Sequence, residues 1–248
     1  MKAYIINLEK SVDRRAYMET LLKPYKDFLD IQFVKAVDGR ALTDAQVGEM
    51  WNQAGSYDVY GRYMNQPEIG CALSHRKCCE KLLKSGDDVC LIVEDDLVWQ
   101  DSDVRNVILT SEKLLQTDKA RIILLSGDYW FTRKREVGTI CLATIREAVC
   151  AQAYLINWEA AKKVVNTDRK YLADDWFNFK KQGIELYGIY PHIADQNRRD
   201  FKTVISASYE GTIRKNLSFM NMMHSYYRAI IKRMLSYIGN IERKKFVS

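Results

Sequence analysis

The sequence predicts an α/β protein: one catalytic-sized domain on a mixed, mostly parallel sheet, followed by a C-terminal amphipathic helix. Three observations lead there. Short apolar runs alternate with helical segments, the pattern of strands joined by crossover helices. The chain has 248 residues, enough for one sizeable core, and its 12 Gly and 3 Pro argue against long linkers. Three acidic residues, Glu94-Asp95-Asp96, directly follow the clearest apolar run, where open α/β sheets bind ligands.

The elements follow in order. Tyr4-Ile5-Ile6-Asn7-Leu8 reads as a short buried strand, and Ser11 as the N-cap of a helix reaching about Leu22. Ile31-Gln32-Phe33-Val34 is a second strand, and Val37-Asp38-Gly39 leads away from it. Residues 43–65 are polar and aromatic, expected as helical turns and a mobile loop. A helix is expected over Ala72 to Lys84. Val89-Cys90-Leu91-Ile92-Val93, Ile122-Ile123-Leu124-Leu125 and Ala153-Tyr154-Leu155-Ile156 are central strands, the last leading into a helix from Trp158 to Val165.

Composition excludes several classes. Hydrophobic residues make up 47% and charged residues 28%, ordinary for a globular domain. The N-terminus does not read as a signal peptide, and no run approaches the ~18 apolar residues of a membrane span, so a cytoplasmic location is expected. Six cysteines form no CxxC pair and are expected as free thiols; Cys71, His75, Cys78 and Cys79 fit no common zinc spacing. The net charge of +6 belongs to the tail. Arg214, Lys215, Arg228, Lys232, Arg233, Arg243, Lys244 and Lys245 are opposed there by Glu242 alone. A nucleic-acid-binding domain would carry its basic stripe on the core, so no nucleic-acid partner is expected.

Four constellations could carry chemistry. Glu94-Asp95-Asp96 is the strongest, because adjacent ionised carboxylates in a crevice need a cation, and Mn²⁺ or Mg²⁺ suits such oxygen ligands. The plain alternative is a solvated acidic turn. Asn7, Ser11, Asp13, Arg14 and Arg15 cluster after the first strand, where a helix N-terminus and arginines can hold phosphate; a capped helix with solvated arginines is the bland reading. Glu68 to His75 forms the third group, in which His75 on an apolar stretch also reads as a satisfied core residue. Asp174-Asp175-Trp176 suits either a general base beside a sugar-stacking ring or a helix N-cap.

Together the segments YIINLEKSVDRR, FVKAVDG, PEIGCALSH, CLIVEDD, AYLINWEAAKKVV, ADDW and YPHIADQ resemble glycosyltransferase family 25, over about Met1 to Gln196. These are lipooligosaccharide and lipopolysaccharide sugar transferases, with the collagen galactosyltransferases among them. The resemblance implies a GT-A-like (Rossmann-like) fold and inverting transfer from a UDP-sugar, often UDP-galactose, to a glycan hydroxyl. It puts Asp96, then Glu94, on the metal. It puts Asn7, Ser11, Arg14, Arg15, Asp38, Glu68, Ser74, His75 and Asp95 on the donor side. Where the family commonly has Pro-Val-Asp, this chain has Ala173-Asp174-Asp175; Asp175 aligns with the family acid and is the first choice as base, with Asp174 beside it. The rival classes are another metal-dependent nucleotide-using enzyme (a nucleotidyltransferase or phosphohydrolase) and a non-catalytic partner in polysaccharide assembly.

The expected division is a catalytic domain at 1–213 and a basic tail at 214–248. In the tail Met220, Met223, Tyr227, Ile230, Met234, Ile238 and Ile241 recur at the helical period. Ser218, Asn221, Ser225, Arg228, Lys232, Ser236 and Asn240 recur on the opposite side. Such a helix suits an anionic membrane surface, on the inner face of which a lipid-linked acceptor would be presented. The alternative is a helix packed on the domain or on a partner.

Overall fold

The computed structural model describes residues 1–99, 103–201 and 217–243. Its strands, in chain order, are β1 (Lys2–Asn7), β2 (Asp30–Lys35), β3 (Val89–Glu94), β4 (Leu97–Trp99), β5 (Arg121–Leu124), β6 (Tyr129–Val137), β7 (Ile140–Ala148), β8 (Ala153–Asn157), β9 (Glu185–Ile189), β10 (Ala194–Gln196) and β11 (Ile241–Glu242). The helices are α1 (Val12–Leu22), α2 (Asp44–Met50), α3 (Gln53–Tyr60), α4 (Gln66–Ser85), α5 (Val104–Leu115), α6 (Trp158–Asn166), α7 (Trp176–Lys181) and α8 (Phe219–Tyr237).

Nine strands form one sheet in the order β11-β6-β7-β9-β5-β8-β3-β1-β2, and β4 and β10 pair separately. The pairings make β1, β2, β3, β5, β6 and β9 run one way and β7, β8 and β11 the other. The sheet is therefore mixed and mostly parallel in direction, as expected.

Its central strands are apolar because both faces are covered. Tyr4, Ile6, Cys90 and Ile92 face a core closed by Cys78 and Leu82 of α4, Ala160 and Ala161 of α6, and Trp176 of α7. Ala3, Ile5, Leu91 and Val93 face the other core, closed by Met18 and Leu22 of α1 and Val107 and Ile108 of α5. Alternate residues of each strand thus serve opposite layers. Cys78, Cys79 and Cys90 are buried, and all six cysteines are free thiols.

The tail is helical, as its period predicts, but its polar side faces inward. Arg228 grips Glu147 of β7 at 2.8 and 3.1 Å, stacks on Phe177, and leaves the Glu147 side chain only 2% exposed. Trp130 Nε1 donates to Ser236 Oγ at 2.7 Å, and Asn221 donates to the Asp58 carbonyl at 2.6 Å. The apolar series points out: Met220, Met223, Tyr227, Ile230, Met234 and Ile238 are all at least half exposed. Buried polar groups need partners, and this face of the domain offers polar ones, so the polar stripe is the complementary surface. Stranding Glu147 would cost about 3 kcal/mol, near the lower end for a buried pair because Arg228 is about one-third exposed.

β11 then adds a short strand to β6 and brings Glu242 to His192. The His192 side chain is fully buried between Glu242 (2.5 Å) and Asp195 (3.2 Å). These two hydrogen bonds outweigh the effect of burial and raise the imidazole to about 9. A folded-state value above the unfolded ~6.5 means that the proton stabilises the fold fully below pH ~6.5, and that this contribution is lost as pH rises through about 9. Urea denaturation at pH 6.5 and 9.5 should therefore show the wild type losing stability across this window. His192→Gln should be less stable at pH 6.5 and lose less on going to pH 9.5; an unchanged slope would refute the clamp.

Candidate active site

The site forms where β3 ends. The parallel register pairs Ile6 with Glu94, so Asn7 falls beside Asp95. Asn7 Nδ2 donates to Asp95 Oδ2 at 2.8 Å and to the Ser11 carbonyl at 3.2 Å. Ser11 precedes α1 as its N-cap residue, though its side chain makes no capping bond. One turn into α1, Arg14 reaches back to Asp95 at 2.9 Å and Asp96 at 3.3 Å. Phe201 stacks under the Arg14 guanidinium at 5.0 Å.

Asp96 is nearly buried. Its Oδ2 accepts from Gln196 Nε2 at 2.8 Å, and its backbone carbonyl accepts from the Asn197 N–H at 2.6 Å. The β4–β10 pair supplies that neighbour by setting Gln196 opposite Leu97. Asp96 Oδ1 is buried with no hydrogen-bond partner among the described residues. Burial first, then the charge of Glu94, raises the Asp96 carboxyl to about 6. An orphaned carboxylate oxygen beside a second carboxylate is a donor set that fits Mg²⁺ or Mn²⁺.

The opposite wall is the first half of α4. Asn65 and Glu68 close a capping box around its first turn, with Pro67 in the turn. Glu68, expected on the donor side, is therefore spent on the helix start: it caps Asn65 and binds Arg62 through both oxygens at 2.7 and 2.8 Å. Ser74 staples α4 to the loop after β2, accepting from the Val37 N–H at 2.8 Å and donating to the Gly70 carbonyl at 2.6 Å. A Cβ on Gly70 would lie 2.6 Å from the Gly39 nitrogen, so only glycine lets helix and loop close this far. His75 is buried, with Nδ1 3.1 Å from Tyr154 Oη and Nε2 3.2 Å from Glu94 Oε1.

Between the walls lies a cleft that opens to solvent. Ser11, Arg14, Asp38, Ser74, His75, Glu94 and Asp95 line it, with Ile6, Leu8 and Val37 as apolar floor. Asp38 pairs with Lys10 at its mouth. Arg15, also expected here, lies outside it, exposed, paired with Glu19 at 3.1 Å and stacked on Phe33. One residue further along α1 the side chain leaves the cleft face.

The two acids before α7 divide their work. Asp175 is the N-cap: its oxygens accept from the Asn178 N–H at 3.3 Å, from Asn178 Nδ2 at 2.7 Å and from the Tyr60 hydroxyl. Asp174 accepts from the Cys150 N–H at 2.9 Å, and Cys150 adopts a positive φ of 75° to present it. Burial first, then the charges of Asp175 and Glu94, raise the Asp174 carboxyl. Asp174, Glu94 and Asp96 also act together on the Cys71 thiol, so Asp174 belongs to the acidic field of the cleft.

Gln196, Tyr154 and Tyr60 are site residues to which sequence reasoning assigned no role. Gln196 lay within the motif YPHIADQ, the one signal that could have found it.

Comparisons with known proteins bear on the family of the chain. A family model described as glycosyltransferase family 25 (LPS biosynthesis protein) matches residues 1–178. A "Glycosyltransferase 25 family member" of Aedes aegypti is 32% identical over 177 residues, covering 65% of this chain and 27% of that protein. "Procollagen galactosyltransferase 2" of Mus musculus is 28% identical over 176 residues, covering 66% and 27%. The chain thus spans about a quarter of the length of these relatives. Among solved structures, the galactosyltransferase LgtC in complex with donor and acceptor sugar analogues is 14% identical, with a TM-score of 0.38 over 75% of this chain and 73% of that one. HddC from Yersinia pseudotuberculosis is 11% identical, with a TM-score of 0.42 over 93% and 98%. From its family match over residues 1–178, this chain belongs to glycosyltransferase family 25.

Proposed function

We propose that this chain transfers a hexose, galactose first among candidates, from a UDP-sugar to a glycan hydroxyl, with inversion and with Mn²⁺ or Mg²⁺ bound. The observation that carries this reading is the buried Oδ1 of Asp96, without a hydrogen-bond partner among the described residues and next in the chain to Glu94 and Asp95, which line the apolar-floored cleft. Asp96 and Glu94 would hold the ion, whose chemistry is to neutralise the donor diphosphate and the departing UDP. The named galactosyltransferase relatives support the choice of sugar, and the family description supports a lipopolysaccharide or related surface-glycan setting.

The chain's own groups do the rest. Ile6, Leu8 and Val37 offer an apolar bed for the nucleoside. Arg14, held by Asp95 and Asp96, sets a fixed positive charge near the phosphates without needing to reorganise. Asn7 holds Asp95, and Ser74 holds the helix that presents His75. Asp174 is the base in this reading. Asp175 already satisfies a helix cap and Tyr60, whereas the raised carboxyl of Asp174 suits taking a proton from the acceptor hydroxyl as it attacks the anomeric carbon.

Two experiments test this. Calorimetric titration with UDP-galactose should show binding that needs Mn²⁺ or Mg²⁺ in the wild type and loses that dependence in Asp96→Ala; tight metal-independent binding would refute the metal pair. Asp174→Asn should keep metal-dependent donor binding and lose about 10²–10⁴-fold in turnover. Asp175→Ala should mainly lower the melting temperature, at a cost of about 1 kcal/mol for the lost cap. A fully active Asp174→Asn would return the base to Asp175.

A lipid surface is the partner proposed for α8. No described helix is long and apolar enough to cross a membrane. The outward face of α8 carries methionine, tyrosine and isoleucine, with Arg233 exposed beside them. Arg214-Lys215 and Arg243-Lys244-Lys245 flank the helix in sequence. An apolar face with basic flanks complements anionic lipid, and an inner-leaflet acceptor would be presented there. Vesicles containing anionic lipid should sediment the wild type but not Met223→Ser/Ile230→Ser/Met234→Ser. The changed residues are exposed, so the fold should hold. A wild type that stays in the supernatant would refute the lipid partner.

A further inference from the structure

Cys71 has no part in the proposed transfer, yet it stands inside the cleft beside two good metal ligands. A Cys71 sulfur, a His75 ring nitrogen and a Glu94 carboxylate oxygen lie within 4.8 Å of one another. Cys71 and His75 are four residues apart on α4 and so share one helix face. Glu94 ends β3 opposite them. Tyr154 stacks on the imidazole at 5.8 Å and engages Nδ1, leaving Nε2 aimed at Glu94. Fixing one ring nitrogen to orient the other is how proteins preset a histidine ligand. His75 is buried, while Cys71 and Glu94 are partly exposed, so an ion can enter from the cleft.

The electrostatics favour a cation. Burial first, then the charges of Glu94, Asp174, Asp96 and Glu68, hold the Cys71 thiol in its protonated form. A divalent ion would relieve that crowding and let the sulfur ionise. The ligand set differs from the Asp96 pair, which offers oxygen only. Sulfur and nitrogen with one carboxylate select Zn²⁺, Cd²⁺ or Co²⁺ over Mg²⁺ and Mn²⁺.

We infer that Cys71, His75 and Glu94 form a second cation site, for a thiophilic divalent ion such as Zn²⁺, and that its occupancy shuts off sugar transfer. On binding, the Cys71 thiol releases its proton to solvent and coordinates as the thiolate. Inhibition follows because Glu94 is shared: a carboxylate drawn to the thiol-bound ion is withdrawn from the ion that would hold the donor. This second half rests on the reading of Glu94 and Asp96 as the donor-side pair; the site itself does not.

The test uses the whole protein and Co²⁺ alone, followed by absorbance. Thiolate ligation gives a near-ultraviolet charge-transfer band that carboxylate or imidazole ligation does not. The expected result is a band saturating at one Co²⁺ per chain, bleached by Zn²⁺, absent in Cys71→Ser and strongly reduced in His75→Gln. A band that persists in Cys71→Ser, or Co²⁺ binding with no band, overturns the site whatever the enzyme's activity. In a separate arm, transfer is assayed at saturating Mn²⁺ with increasing Zn²⁺. Wild-type inhibition should need at least tenfold less Zn²⁺ than inhibition of Cys71→Ser. Equal sensitivity would overturn the regulatory half, and a chain that transfers no sugar but shows the band would overturn only the functional reading on which that half rests.

Discussion

Three carboxylates in a row at the end of a buried strand set the terms for this structure. Hydrophobic pairing with β1 and β8 draws β3 into the middle of the sheet, and Glu94, Asp95 and Asp96 must go with it. Ionised carboxylates removed from water are costly unless paired and hydrogen-bonded. The chain answers from three separate places. Asn7 and Arg14 come from β1 and α1, Gln196 from β10, and His75 from α4. Asp95 is thereby satisfied, and Asp96 only in part. Compensation that stops one oxygen short marks a site more sharply than the acidic triplet alone.

How much of this could be read in the sequence follows from the range of the signals. β1, β3 and β8 were legible because each is apolar on both faces. The acidic triplet was legible because it adjoins such a strand. The β6–β7 hairpin was not: much of β6 is exposed and charged, with Arg133, Lys134, Arg135 and Glu136 in succession, so no periodicity betrays it. β10 has three residues and owes its place to pairing with β4, so nothing but its place in the segment YPHIADQ pointed to Gln196. Glu68 looked like a ligand because it sits in a recognisable motif, yet Asn65 three residues earlier makes a capping box, a local signal that was present and outranked. Asp174 and Asp175 could not be separated from sequence because a cap and a base both want a carboxylate before a helix; that Asp175 is the cap, through Asn178 and Tyr60, shows only in three dimensions.

Amphipathic period has the same limit. It shows that α8 has two faces and says nothing about which one meets the domain. The usual expectation is apolar inward, since burial of apolar area drives packing. Here the receiving surface offers Glu147, the Trp130 indole N–H and the Asp58 carbonyl, and only the polar stripe can satisfy them. An apolar stripe laid over Glu147 would bury an unpaired carboxylate.

The tail is consequently tied to the segment that meets Asp96. β11 brings Glu242 to His192, which holds Asp195 on its other side. The next residue, Gln196, donates to Asp96, and Asn197 donates to the Asp96 carbonyl. Besides Arg14, the partners of Asp96 thus lie on a segment joined by a run of polar contacts to the far end of the described chain. The charged imidazole stands at the middle of the run because it alone there donates from two sides at once, one ring nitrogen to each acid. A neutral residue in its place could not compensate both carboxylates, one of which, Asp195, immediately precedes the Gln196 that the β4–β10 pairing sets against Leu97.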